Sequence, residues 1–67
     1  MDIAKEIERL EGEAKRLEGE LRRSDGMLNN EKFVSRAPQA KIDEERAKRA
    51  KYAKMYEEVK ARLAKLK

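Results

Sequence analysis

The sequence predicts an all-α fold, an antiparallel two-helix coiled-coil hairpin with a short helical turn at its tip. Three observations support this prediction. Apolar residues recur at heptad spacing in both halves of the 67-residue chain, this periodicity is interrupted once, and the charges beside the two apolar stripes have opposite signs. We therefore expect one hairpin over residues 1–67, with helix one over about 2–28, the tip over 29–37 and helix two over about 38–66.

Helix one is predicted by apolar side chains that recur in alternating steps of four and three residues. This spacing places them on one stripe of a helix, the seam that a coiled coil buries. The stripe indicates a long helix that needs a second helix to cover it. The seam positions of helix one are Ile3, Ile7, Leu10, Ala14, Leu17, Leu21, Ser24 and Leu28.

The tip is predicted by residues that end one helix and begin another. Gly26 weakens the end of helix one, Asn30 supplies a capping side chain, and Pro38 suits the first turn of a new helix. Asn30 should cap a single helical turn that folds Phe33 and Val34 over the end of the seam. Phe33 then belongs to a local core, with base stacking as the alternative role of its ring.

Helix two is predicted by the same rhythm beyond Pro38, where the sequence contains no further glycine or proline. Uninterrupted periodicity over this length indicates a helix as long as helix one, so that the two can pair as an antiparallel hairpin. The seam positions of helix two are Ile42, Tyr52, Tyr56, Val59, Leu63 and Leu66.

The register of the two helices depends on where the chain reverses. A turn centred near Phe33 would place Leu63 opposite Ile3. It would also place Glu45 and Arg49 opposite leucines of helix one. In that position we expect these two side chains to pair with each other, because they lie one helical turn apart.

Charges beside the two seams predict which helices pair. The flanks of helix one are almost uniformly acidic and include Glu6, Glu11, Glu13, Glu18, Glu20 and Asp25. Those of helix two are mostly basic and include Lys41, Arg46, Lys48, Lys60, Arg62 and Lys67. Acid faces base only when helix one lies on helix two, so we expect an intramolecular hairpin and a monomer.

The composition argues against catalysis. The chain is short, 48% of its residues are charged, and it contains neither Cys nor His. A buried catalytic pocket, thiol or imidazole chemistry and an ordinary zinc site are therefore disfavoured, and we expect no catalytic residue, metal or cofactor. No apolar run is long enough to cross a membrane, so we expect no membrane partner and a cytoplasmic location.

The net charge of +4 comes from the C-terminal part of the sequence. Residues 39–67 contain five acids and ten bases, and five bases with no acid lie between Arg46 and Lys54. Such an excess would favour nucleic acid or an anionic membrane, or else form a solvated helix face. A second basic stripe of Arg9, Arg16 and Arg23 on the outside of helix one leaves the same interpretations open.

The tip and its flanks combine residues that characterise one family. The positions are Leu28, Asn30, Phe33, Val34, Ala37, Pro38, Glu45, Arg46 and Tyr52. This combination, with heptads on both sides, resembles the C-terminal coiled-coil arm of bacterial-type valyl-tRNA synthetases, and the resemblance extends over essentially the whole chain. Lys41 and Arg49 depart from the family pattern, which has apolar residues at those positions.

The resemblance implies a tRNA-binding role without catalysis. The arm of that family contacts the outer corner of tRNA, where the D and T loops meet, and holds the tRNA for aminoacylation and editing. The implied partners are a valine-accepting tRNA and the rest of a parent synthetase, an ATP-dependent valine–tRNA ligase whose catalytic domains this chain lacks. Phosphate contacts are then expected from bases at or near the tip, namely Arg22, Arg23, Lys32, Arg36, Lys41 and Lys48.

Two other functions remain open. Ribosome-acting ABC-type ATPases carry a similar nucleic-acid-binding coiled-coil hairpin, although without the Phe-Val-x-x-Ala-Pro tip. A structural spacer or protein-docking coiled coil is the third possibility. Salt-sensitive binding to structured RNA would separate it from both nucleic-acid-binding functions.

Overall fold

The computed structural model describes residues 2–67, and these residues form three helices in the order α1 (Ile3–Leu28), α2 (Glu31–Arg36) and α3 (Gln39–Leu66). Helices α1 and α3 pack against each other in antiparallel orientation, and α2 packs on the end of α1. The result is a rod of 50 × 14 × 14 Å with α2 at its tip. The predicted all-α hairpin is confirmed.

Local sequence explains where the helices begin and end. The Asp2 carboxylate accepts the backbone N–H of Lys5 at 3.3 Å, and the Asn30 side chain accepts the backbone N–H of Lys32 at 3.0 Å. Both side chains satisfy a backbone donor that the first turn of a helix leaves unpaired. Ala37 is extended, as the residue before a proline prefers, and this conformation ends α2 directly before Pro38.

The apolar core lies between α1 and α3. Leu10, Ala14 and Leu63 form a buried cluster. Leu17 is fully buried, and Ile42 is buried closer to the tip. Burying a leucine or isoleucine side chain of this kind contributes about 1.5–3 kcal/mol, so these few positions carry much of the stability of a two-helix protein. Half-buried side chains pack around the buried cluster, namely Ile7, Tyr56, Val59 and Leu66.

The predicted register of α1 against α3 is wrong by about seven residues, or two helical turns. Leu63 packs with Leu10 and Ala14, whereas its predicted partner Ile3 is 52% exposed. The physical reason lies at the tip, where α2 packs on α1 and moves the centre of the reversal beyond Phe33, toward α3.

A polar layer joins the two long helices near the tip. The Ser24 hydroxyl, only 1% exposed, donates to the Glu45 carboxylate at 2.8 Å. Arg49 donates to Asp25 through Nε and through Nη2, the latter at 3.4 Å. The predicted pairing of Glu45 with Arg49 is therefore wrong, because the shifted register gives each of them a partner on α1. These contacts place polar groups between the two long helices, and no buried side-chain donor or acceptor in residues 2–67 is left unpaired.

The contact between Asp25 and Arg49 predicts a pH dependence of stability. The hydrogen bond from Arg49 lowers the pKa of Asp25 in the folded state. A lowered carboxylate pKa stabilises the fold above the unfolded value of about 3.9, and this stabilisation is lost as the pH falls through the folded pKa. Asp25→Asn should therefore reduce the loss of stability on acidification below about pH 4, as measured by urea unfolding at a series of pH values.

The control for this prediction is Asp43→Asn. The Asp43 carboxylate accepts from Gln39 of its own helix at 2.9 Å, and its removal leaves the contact between Asp25 and Arg49 in place. This variant should keep the wild-type dependence on pH. An Asp25→Asn variant with the full wild-type acid sensitivity would contradict the proposed contribution of Asp25.

Candidate nucleic-acid interface

The short helix α2 presents two bases at the end of the rod. Lys32 and Arg36 are exposed and four residues apart, so their side chains leave the same face of α2. Within residues 2–67, neither forms an ion pair. Of the six predicted phosphate-contacting residues, these two are placed farthest along the rod and are not engaged by a carboxylate.

The other four predicted bases lie behind the tip on α1 and α3, and two of them are paired. Arg23 lies 3.9 Å from Glu20, and Lys41 lies 3.6 Å from Glu44. Exposed pairs of this kind contribute only about 0–1 kcal/mol, so a phosphate could take over either base at low cost. The third, Arg22, is exposed on α1.

The fourth base, Lys48, lies beside an aromatic ring. Its Nζ is 6.0 Å from the centroid of the Tyr52 ring, at the outer limit of a cation–π contact. This arrangement leaves the ammonium group exposed. The predicted bases are therefore spread over the tip half of the rod and do not converge on one point.

The arginine stripe on the outside of α1 is paired within its own helix. Arg9 donates to Glu6 at 2.5 Å and Arg16 donates to Glu13 at 2.7 Å. These hydrogen bonds lower the pKa of Glu6 and Glu13 and raise the pKa of both arginines. Local pairing neutralises this part of the stripe, which makes it a weaker candidate for phosphate binding than the tip.

A shallow groove lies beside the tip. Apolar parts of Met27, Phe33 and Ala37 line it, and charged side chains of α3 form its other wall. Phe33 is half-buried, so part of its side chain remains accessible. The charged wall comprises Lys41, Glu44, Glu45 and Lys48. The groove can accept a planar apolar group next to bases that would hold its phosphate.

The described residues contain neither a candidate metal site nor a helix that could span a membrane. Within residues 2–67, no group of three or more Asp, Glu, His or Cys side chains is arranged to hold a metal ion. No helix in that range combines the length and the apolar character needed to cross a membrane. The exposed bases of the tip half can contact an anion through ammonium and guanidinium groups.

Comparison with known proteins assigns the chain to a family. The family described as the valyl tRNA synthetase tRNA binding arm matches residues 2–67. Valine–tRNA ligases of two Clostridium species are similar. That of Clostridium perfringens is 49% identical over 63 residues, which cover 94% of this chain and 7% of the relative. That of Clostridium acetobutylicum is 46% identical over 67 residues, which cover 100% of this chain and 8% of the relative.

The valine–tRNA ligase of Staphylococcus aureus strain Newman is 54% identical over 67 residues, again 100% of this chain and 8% of the relative. The chain thus spans less than a tenth of the length of these relatives. No solved structure matches it significantly. The family matches nearly every residue of the chain, and the relatives are about 50% identical to it. These findings agree with a hairpin that carries bases at its tip. The chain therefore belongs to the family of tRNA-binding arms of valyl-tRNA synthetase.

Proposed function

We propose that this arm contacts the outer corner of tRNA, where the D and T loops meet, and holds the tRNA for aminoacylation and editing by a parent valine–tRNA ligase. The observation that carries the proposal is the pair of unengaged bases, Lys32 and Arg36, at the end of a rod that belongs to this family. A narrow rod with cations at its end can reach a convex nucleic-acid surface without needing a cleft.

The arm contributes binding and no chemistry. ATP and valine are bound, and mischarged tRNA is hydrolysed, by other parts of the parent synthetase, which is the second partner of the arm. The tRNA is a valine-accepting one, and the location is cytoplasmic. The arm acts as a monomer, because its charged flanks already meet across the hairpin, as in the contact of Lys67 with Glu11 at 2.5 Å.

Phosphate contacts position the tRNA without reading its sequence. Lys32 and Arg36 make these contacts at the tip, and Arg22 extends them onto α1. Arg23, Lys41 and Lys48 join when a phosphate replaces their present partners. The accessible part of Phe33, in the groove beside Met27, offers a surface for one unstacked base of the loops.

Single substitutions at the tip test this function. Lys32→Ala and Arg36→Ala should each weaken tRNA binding several-fold and lower the slope of log affinity against log salt by about 1, because each removes one phosphate contact. The matched control is Lys65→Ala, an exposed base in the last turn of α3 at the opposite end of the rod, which should change neither quantity. Equal losses from all three variants would mean diffuse electrostatic attraction and would remove the tip from the function.

The wild-type chain should also prefer tRNA to other nucleic acids. A salt titration against a valine-accepting tRNA, an RNA hairpin and a DNA duplex of matched charge measures this preference. A preference that survives near-physiological salt supports recognition of the folded corner. Equal binding to all three that disappears with salt would favour the generic nucleic-acid-binding hairpin instead.

A further inference from the structure

The middle of α3 carries a cluster of bases that no carboxylate engages. From Arg46 to Tyr56 the helix contains no acid. Within residues 2–67, neither Arg46 nor Lys51 nor Lys54 has a carboxylate oxygen within 4.0 Å. All three are exposed.

The neighbouring acids of α1 already have partners elsewhere. Asp25 is engaged by Arg49 of the seam, and Glu18 accepts the Tyr56 hydroxyl at 2.6 Å. The other two carboxylates on this stretch of α1, Glu13 and Glu20, face arginines of their own helix. The free cations of α3 therefore do not pair with these four carboxylates of α1.

The charge arrangement of this stretch differs from that of the stretches that form ion pairs within one helix. In those stretches a base pairs with an acid three residues away, as in Glu6 with Arg9, Glu13 with Arg16 and Lys41 with Glu44. A solvated face built for solubility alone could use the same spacing throughout. Between Arg46 and Tyr56 no acid is present, and within residues 2–67 neither Asp43 nor Glu57, which flank this stretch, forms an ion pair with Arg46 or Lys54.

The geometry of this surface suits a polyanion. Arg46, Ala47, Ala50, Lys51 and Lys54 follow one another at helical spacing and are all exposed, and we name these five residues the α3 outer patch. The side chains of its two alanines are small, so a nucleic-acid backbone can approach the helix closely between the bases. The patch spans about 12 Å along the helix, and duplex DNA carries about one charge per 1.7 Å of its axis, so several phosphates would lie within reach.

We propose that the α3 outer patch is a second phosphate-binding surface, which holds the backbone of the same tRNA at a point away from the tip contact. This inference rests on the proposed function, and it adds a binding surface that lies outside the predicted set of tip bases. Lys54 lies about 24 Å along α3 from Pro38, so a tRNA held at both places would lie along the rod and not merely touch its end.

The test is the double substitution Lys51→Gln with Lys54→Gln, which keeps good helix formers at both positions. Loss of two phosphate contacts should lower the salt slope of tRNA binding by about 2 and weaken binding about 30-fold at roughly 0.15 M salt. The charge-matched control is Arg9→Gln with Arg16→Gln, which removes two bases that are paired with Glu6 and Glu13. Circular dichroism of both double variants checks that the helices are retained.

The results separate this inference from the proposed function. A slope and affinity equal to those of the wild type, or a loss no larger than in the control, would overturn the α3 outer patch as a binding surface. If the tip substitutions still weaken binding in that case, the proposed function stands. A wild-type chain with no preference for tRNA would overturn the proposed function and this inference together.

Discussion

Replacing Leu17 by alanine should lower the free energy of unfolding by about 2–5 kcal/mol. Leu17 is fully buried, so the substitution removes apolar contacts and leaves a cavity between two helices that can close only partly. A domain of this size has a total stability of roughly 3–10 kcal/mol, and one such cavity removes a large fraction of it. Urea unfolding followed by circular dichroism measures the change.

The control for Leu17→Ala is Ile3→Ala. Ile3 also occupies a seam position but is 52% exposed, so its truncation should change the stability by no more than about 0.5–1 kcal/mol. Equal losses at both positions would contradict the packing described above, in particular the register that leaves Ile3 beyond the end of the core.

A gain of about 1.5–3 kcal/mol is expected when Gly12, Gly19 and Gly26 are all replaced by alanine. The three glycines lie within α1 at seven-residue spacing, none has a positive φ, and a Cβ at each would meet nothing within 4 Å. Alanine would therefore fit without strain, and it loses less backbone freedom on folding than glycine does. The midpoint and slope of urea unfolding give the gain.

The reverse change tests the same principle on the other helix. Ala61→Gly, at an exposed position of α3, should lower stability by about 1 kcal/mol. A triple alanine variant that is less stable than the wild type would show that α1 needs its glycines for a reason other than backbone geometry. A more stable triple variant would instead mean that the three glycines make α1 less stable than a helix of the same length with alanine at these positions.

Heptad spacing and capping residues were sufficient to predict the hairpin, but the register could not be obtained from them. When one helix slides along the other from one seam position to the next, the two apolar stripes still face each other. The apolar pattern therefore differs little between neighbouring registers. What decides between them is how α2 sits at the tip and which polar groups then meet. Ser24 with Glu45, and Asp25 with Arg49, are contacts of that kind, and each depends on the position of the reversal.

The sequence was sufficient to predict which bases belong to the candidate site, but not which of them form ion pairs. Counting charges locates the bases, and the family resemblance directs attention to the tip. Whether a base is free depends on side-chain geometry, as the engaged Arg16 and the unengaged Lys51 illustrate. A sequence signal for the α3 outer patch does exist, namely the helical segment from Arg46 to Tyr56, which contains five bases and no acid.

The length of the rod amplifies any tilt of the hairpin. Lys67 bonds Glu11 in the N-terminal half of α1, and α2 lies at the opposite end of a rod that is 50 Å long. A tilt of about 10° about the end opposite α2 would move the tip by roughly 9 Å, because the rod is 50 Å long. The length of the hairpin therefore determines the distance of the tip from the opposite end, and the tilt of the rod determines the position of the tip.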